Sequence, residues 1–208
     1  MLLIATISIV LIAPGTSFRP GGFLAGRASS GLLTLMFMLA IIGVSVKAAI
    51  MPLHSWLPAA MVAPTPVSAL LRAVAVVKAG TFGCIRIIHY VFGIDVLRAI
   101  GADMVLALLA STTILVASIR ALGEQNLKRR LAYSTVNQLS YIVLGAAIGT
   151  PAALAGAMFH IVANGLMKIT LFFCAEAIYV KTHKLENRTL AGLVAKCRSL
   201  SALLRLVP

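Results

Sequence analysis

His160, Asn164 and Lys168 recur at i, i+4 and i+8 inside the apolar run 152–180, a spacing that stacks them along one helix face. At about 1.5 Å per residue the stripe covers roughly 12 Å. An imidazole and an amine that exchange protons, with an amide between them, have the chemistry to line an internal water chain. The same residues would also serve as interhelical hydrogen-bonding glue without any transport. Glu176 lies eight residues beyond Lys168, about 80° further around the helix, and extends the stripe if the helix is kinked or supercoiled.

Lys47, Arg72 and Lys78 also interrupt apolar runs. A Lys or Arg at a helix centre costs about 2.5–3.5 kcal/mol on insertion scales, so each should face protein or water unless it snorkels to the headgroups. Arg72 and Lys78 are six residues apart and point about 120° away from each other, so only one need face the same pathway. In VSVKAAIMPLHSWLP, residues 44–58, Lys47 is followed by Pro52, which lacks a backbone donor, and by Pro58. This predicts a broken helix, and unpaired backbone at membrane depth is tolerated only where it is buried or lines a water-filled cavity. Carbonyls at the end of the first half favour a cation at Lys47 while burial opposes its charge, a balance that a neighbouring charge can switch. His54, within HSWLP, joins the set as a supporting polar residue.

The elements that must hold these groups are membrane spans. The 208 residues are 61% hydrophobic with a mean hydropathy of +1.03, which excludes a soluble domain. Apolar runs at 2–13, 31–52, 67–88, 104–119, 131–148 and 152–180 predict an all-α, polytopic transmembrane helix bundle. Five or six spans are expected, one of them broken, over residues 1–180, with a basic tail at 181–208. The first run is short and lacks the basic start and cleavage site of a secretory signal.

A net charge of +13 would suggest nucleic acid in a soluble chain, but here the charges sort by side of the membrane. Arg120, Lys128, Arg129 and Arg130 fall on the same side as the HSWLP loop and the basic tail, and the other side receives Arg19, Arg27, Arg98 and, near a helix end, Arg86. The positive-inside rule places the richer side in the cytoplasm of a cell inner or plasma membrane, with the lipid bilayer and not nucleic acid as partner. Cys84, Cys174 and Cys197 lack CxxC spacing, and no GxGxxG or Walker loop occurs. No metal or redox cofactor is therefore expected.

Three blocks carry a resemblance: KAAIMPLHSWLPAAMVAPTPVSALLRAVAVVKAG, NLKRRLAYSTVNQLSY and HIVANGLMKITLFFCAEAIYVKTHK, in that order. They resemble the antiporter-like proton-translocating subunits shared by respiratory complex I, membrane-bound hydrogenases and Mrp-type multisubunit cation/proton antiporters, over residues 14–193. The resemblance implies that Lys47 is the family's broken-helix lysine and Lys78 the lysine of the next helix, with His160 and Lys168 as the later pair. Arg72 stands where some members have histidine and Asn164 where many have a second one. Asn126 and Ala59 replace aspartates, and Glu176 replaces a usual glycine.

Members have many more helices, in inverted repeats, and pair the broken-helix lysine with an earlier glutamate, whereas the first acidic residue here is Asp95. The chain thus reads as a central fragment. The resemblance implies translocation of protons, with Na+ as the candidate exchanged ion, by a subunit working with other membrane subunits of a cation/proton antiporter. The tail AIYVKTHKLENRTLAGL leans toward the Mrp D-type subunit. The alternative is the proton-pumping membrane subunit of an NADH:quinone oxidoreductase or hydrogenase. That assembly would be an enzyme, although this subunit has no redox chemistry of its own.

Overall fold

The computed structural model describes residues 1–12, 21, 22, 24, 29–59 and 75–182, with only the backbone for 181 and 182. Arg72 and the basic tail beyond residue 182 lie outside the described residues. In chain order the helices are α1 (Leu2–Ile12), α2 (Ser30–Ala48), the single turn α3 (Trp56–Ala59), α4 (Val77–Arg86), α5 (Ile94–Ile100), α6 (Ala102–Gly123), α7 (Leu127–Ile148) and α8 (Pro151–Thr182). A π-helical turn, Ile87–Phe92, continues α4. The architecture is a polytopic helical membrane bundle. Among the described residues, α2, α6, α7 and α8 through Val180 are long and apolar enough to cross a bilayer.

Tight connections make α6, α7 and α8 consecutive antiparallel neighbours. Asn126 caps α7, its Oδ1 accepting from the backbone N–H of Lys128 at 3.0 Å and of Arg129 at 3.4 Å. Gly149 closes α7 in the left-handed conformation, φ 70°, and a Cβ there would strike the Ile94 side chain. Thr150 then accepts from the Ala153 N–H at 3.3 Å, and Pro151 occupies the first helical position, where its missing N–H costs nothing. One short link thus ends one span and starts the next.

α7 is the axis of the bundle. It packs against α2, α3, α4, α6 and α8, and Leu139, Ile142, Val143 and Ala146 on it are fully buried. α2 and α4 run antiparallel beside it. Val44 faces Gly83 and the Lys47–Ala48 backbone faces Gly80, while Phe37 meets Phe92 edge-on at 5.3 Å between ring centroids. The approach at Gly80 leaves no room for a side chain: a Cβ would sit 2.6 Å from the Ala48 nitrogen and 2.9 Å from the Lys47 Cβ.

Gly80→Val should therefore force α2 and α4 apart, costing about 1–3 kcal/mol as overpacking. The expected result is a lower thermal midpoint of the full-length protein in detergent, whereas Gly156→Ala, where a Cβ meets nothing within 4 Å, should leave it unchanged. Equal midpoints for the two variants would contradict this packing.

Candidate functional site

The break expected after Lys47 is present. α2 stops at Ala48, and Ala49 turns the chain in the left-handed region at φ 55°, ψ 38°, a conformation costing an L-residue with a side chain roughly 1–2 kcal/mol. The carbonyls freed at this end are used locally. The Ile50 N–H donates to the Ser45 carbonyl at 3.2 Å, and the Trp56 indole N–H donates to the Val46 carbonyl at 2.7 Å. From the other side, Met51 N–H donates to Thr113 Oγ1 at 3.3 Å. Thr113 lies midway along α6, so the broken end of α2 sits at mid-span depth. The His54 ring packs 6.2 Å from that of Tyr133 on α7.

Three polar contacts cross the α7–α8 seam. His160 Nε2 lies 2.7 Å from Gln138 Oε1, the Lys168 ammonium donates to Ser134 Oγ at 2.7 Å, and Lys128 Nζ lies 2.7 Å from Glu176 Oε2. α7 is read backwards as α8 is read forwards, as antiparallel pairing requires. The positions on α7 are 138, 134 and 128, so the rungs step along one seam. Lys168 is only 2% exposed.

Asn164, between the first two rungs, is 1% exposed, and both of its amide atoms lack a partner among the described residues. Asn137 Oδ1, on the facing stretch of α7, is likewise buried and unpartnered among the described residues. Such atoms cost about 1–3 kcal/mol each when left dry and are commonly satisfied by buried water.

Lys78 enters from α4. His89 on the continuing π turn lies 3.1 Å from the Ala146 carbonyl, an offset of 57 residues that puts Lys78 level with the Ser134 region of α7. Lys78 is 8% exposed, its Nζ has no hydrogen-bond partner among the described residues, and it interacts electrostatically with both His160 and Lys168. Three of the sequence-selected residues thus form one cluster, Lys78 and Lys168 buried and His160 half-buried, with the buried Asn164 beside it.

Lys47 differs. The sequence reading treats it as a buried amine, but its side chain is exposed, while its backbone and Cβ pack on Gly80. Helical phase does not set it apart, because Lys47 lies seven residues from the buried Ala40 and so on nearly the same face of α2; it stands in the last turn, where its Cβ is covered by Gly80 and the rest of the side chain is left uncovered among the described residues.

Sequence reasoning did not select Lys128, Ser134, Asn137 or Gln138, although all four lie in the quoted block NLKRRLAYSTVNQLSY. The available signal was the spacing of Ser134, Asn137 and Gln138 at i, i+3 and i+4 in an apolar span, which places them on one face.

The model of the NADH:quinone oxidoreductase/Mrp antiporter transmembrane family matches residues 1–207. The chain is 38% identical over 150 residues to the chloroplastic NAD(P)H-quinone oxidoreductase subunit 5 of Nuphar advena, covering 72% of this chain and 19% of that protein. It is 37% identical over 158 residues to a probable K(+)/H(+) antiporter subunit of Rhizobium meliloti, covering 76% of this chain and 15% of that protein. The chain thus spans less than a fifth of the length of these two curated relatives.

Among solved structures, the Mrp complex from Dietzia sp. DQ12-45-1b superposes with a TM-score of 0.76 at 31% identity, over 86% of this chain and 20% of that one. The membrane-bound sulfane sulfur reductase, an archaeal respiratory membrane complex, shares the fold at 24% identity and a TM-score of 0.76, over 89% of this chain and 38% of that one. A family match along almost the whole chain and relatives of both kinds at 37–38% identity make this chain a member of the NADH:quinone oxidoreductase/Mrp antiporter transmembrane family.

Proposed function

We propose that the chain translocates protons across the membrane as one component of a multisubunit cation/proton antiporter, through Lys78, His160 and Lys168, with Lys47 at the helix break. The observation that carries this reading is two buried lysines and a half-buried histidine, with Lys78 in electrostatic range of both His160 and Lys168. Among the described residues none of the three forms an ion pair with a carboxylate. Charge placed on one opposes charge on the others, so a proton arriving at one group favours release from its neighbour. A cluster without a facing carboxylate suits protons better than a metal cation, so an exchanged Na+ or K+ would cross elsewhere in the assembly. Water held by the amides of Asn164 and Asn137 would complete the path between rungs. Arg72 and His54 are supporting polar residues in this reading. The membrane is a plasma or inner membrane, with the basic tail on the cytoplasmic side.

The match to a quinone oxidoreductase component favours a second reading in the same terms. The same cluster would then serve as the proton path of a respiratory complex whose redox chemistry lies in other subunits.

The test is pH-gradient formation in inverted vesicles bearing the full-length protein in its assembly, at matched protein levels. Lys168→Ala should lower the rate by roughly 10²-fold, the scale of a lost proton-transfer group. Ser134→Ala, which removes only a hydrogen bond to a charged amine, should lower it by about tenfold. A Lys168→Ala variant that pumps at the wild-type rate would remove the basis of the proposal.

Lys47 generates a separate prediction. Lys47→Ala should abolish most translocation and leave insertion intact, and Lys47→Arg should also impair it, because a guanidinium stays protonated and cannot hand its proton on. Normal pumping by both variants would identify Lys47 as a snorkelling anchor.

A further inference from the structure

The third rung of the seam differs from the other two. It is an ion pair, it contains the carboxylate that α8 contributes to the seam, and it stands partly open, with the Lys128 and Glu176 side chains 11% and 19% exposed. The Lys128 ammonium also lies 4.7 Å from the centre of the Tyr179 ring, one turn beyond Glu176 on the same helix. A lysine in the first turn of a helix opposes the positive end of the helix dipole, whereas a carboxylate there complements it. Glu176 thus compensates both the Lys128 charge and the start of α7.

The surroundings are basic. Arg129 and Arg130 follow on α7, and Arg120 occupies the last turn of α6 at the same end of the bundle. Glu124 is engaged on the outer side, 3.7 Å from Arg129. At this rung Glu176 meets Lys128 from α7, and Tyr179 from α8 itself stacks on that lysine. A basic collar repels protons, so a seam that conducts them needs an acceptor at this end.

We propose that Glu176 is the proton-collecting group at the end of the bundle where α7 begins and α8 ends, held ready by Lys128 and delivering to Lys168. This rests on the proton-translocating reading above. The Glu176 carboxylate takes one proton from the aqueous phase and becomes neutral, releasing its ion pair with Lys128. It then gives that proton to the neutral amine of Lys168, which becomes an ammonium, and the carboxylate re-forms its pair. The two residues are eight apart on α8, about 12 Å along its axis, so the transfer passes through water. Lys128 is a positioning residue in this step and does not carry the proton.

The experiment is the dependence of the initial proton-translocation rate on the pH of the side facing this end. It uses inverted and right-side-out vesicles carrying the full-length assembly, with Glu176→Gln, Glu176→Asp, Lys128→Gln and Lys168→Ala compared at matched levels. Removing the collector should matter most where protons are scarce. Glu176→Gln should lose roughly tenfold at pH about 8.5 and less than about twofold at pH about 6, a contrast set by supply of the transferred proton. Glu176→Asp should restore most of the high-pH rate, and Lys128→Gln, which keeps the carboxylate but removes the ammonium that positions it, should lower the high-pH rate by less than Glu176→Gln does.

Equal losses at every pH for Glu176→Gln and Lys128→Gln would overturn the proposal and leave the pair as a structural clasp between helices. A wild-type pH profile for Glu176→Gln together with an inactive Lys168→Ala would also overturn it, while the translocation reading stands. Full activity of Lys168→Ala would bring down both.

Discussion

An ionisable side chain inside a membrane span must find its partners within the protein, because hydrocarbon offers none. α7 is the element that meets this requirement here. It turns buried apolar residues toward α4 and α6 and a row of polar ones toward α8, so that Gln138, Ser134 and Lys128 each meet a group that would otherwise be stranded. The rest of the bundle is arranged around that double duty. The capped start at Asn126 sets the position of Lys128, and the glycine-closed end at Gly149 returns the chain into α8 in antiparallel register.

The interruption of α2 follows the same accounting of polar groups. A helix that stops at mid-span exposes carbonyls and amides where water is scarce, and those at this end are met from different directions. Trp56 folds back to the Val46 carbonyl, and Thr113 reaches in from α6 to the Met51 amide. Gly80 lets the α4 backbone press directly on the terminus. The break is therefore a specified feature of the packing. Its left-handed alanine is tolerated because the contacts around it outweigh the strain.

The seam and the break meet at α4. This helix carries Gly80, which seats the end of α2, and two residues earlier Lys78, which faces His160 and Lys168 electrostatically. A small displacement of α4 would change both the support of the break and the charge felt by the seam. Packed helices of this kind move as units, so the two features are mechanically connected even though the Lys47 side chain is exposed. The π turn that continues α4 aims His89 at the Ala146 carbonyl, and this second attachment to α7 keeps the register of Lys78.

Composition and spacing alone determined that the chain is a helical membrane bundle, that α2 must break near Pro52, and that His160, Asn164 and Lys168 share a face. These properties depend on local terms: hydropathy over a span, the missing donor of proline and the period of the helix. The NLKRRLAYSTVNQLSY block was visible as a motif, yet the roles of Ser134 and Gln138 were not, because a serine or glutamine in an apolar span acquires meaning only from the helix opposite. The Lys128–Glu176 pair joins residues 48 positions apart and could be found only when α7 and α8 closed on each other. Lys47 shows the limit most clearly. Its residue type and position beside a break were legible, but how far along the side chain the cover reaches was not: tertiary packing covers its Cβ at Gly80 and leaves the rest of the side chain exposed among the described residues.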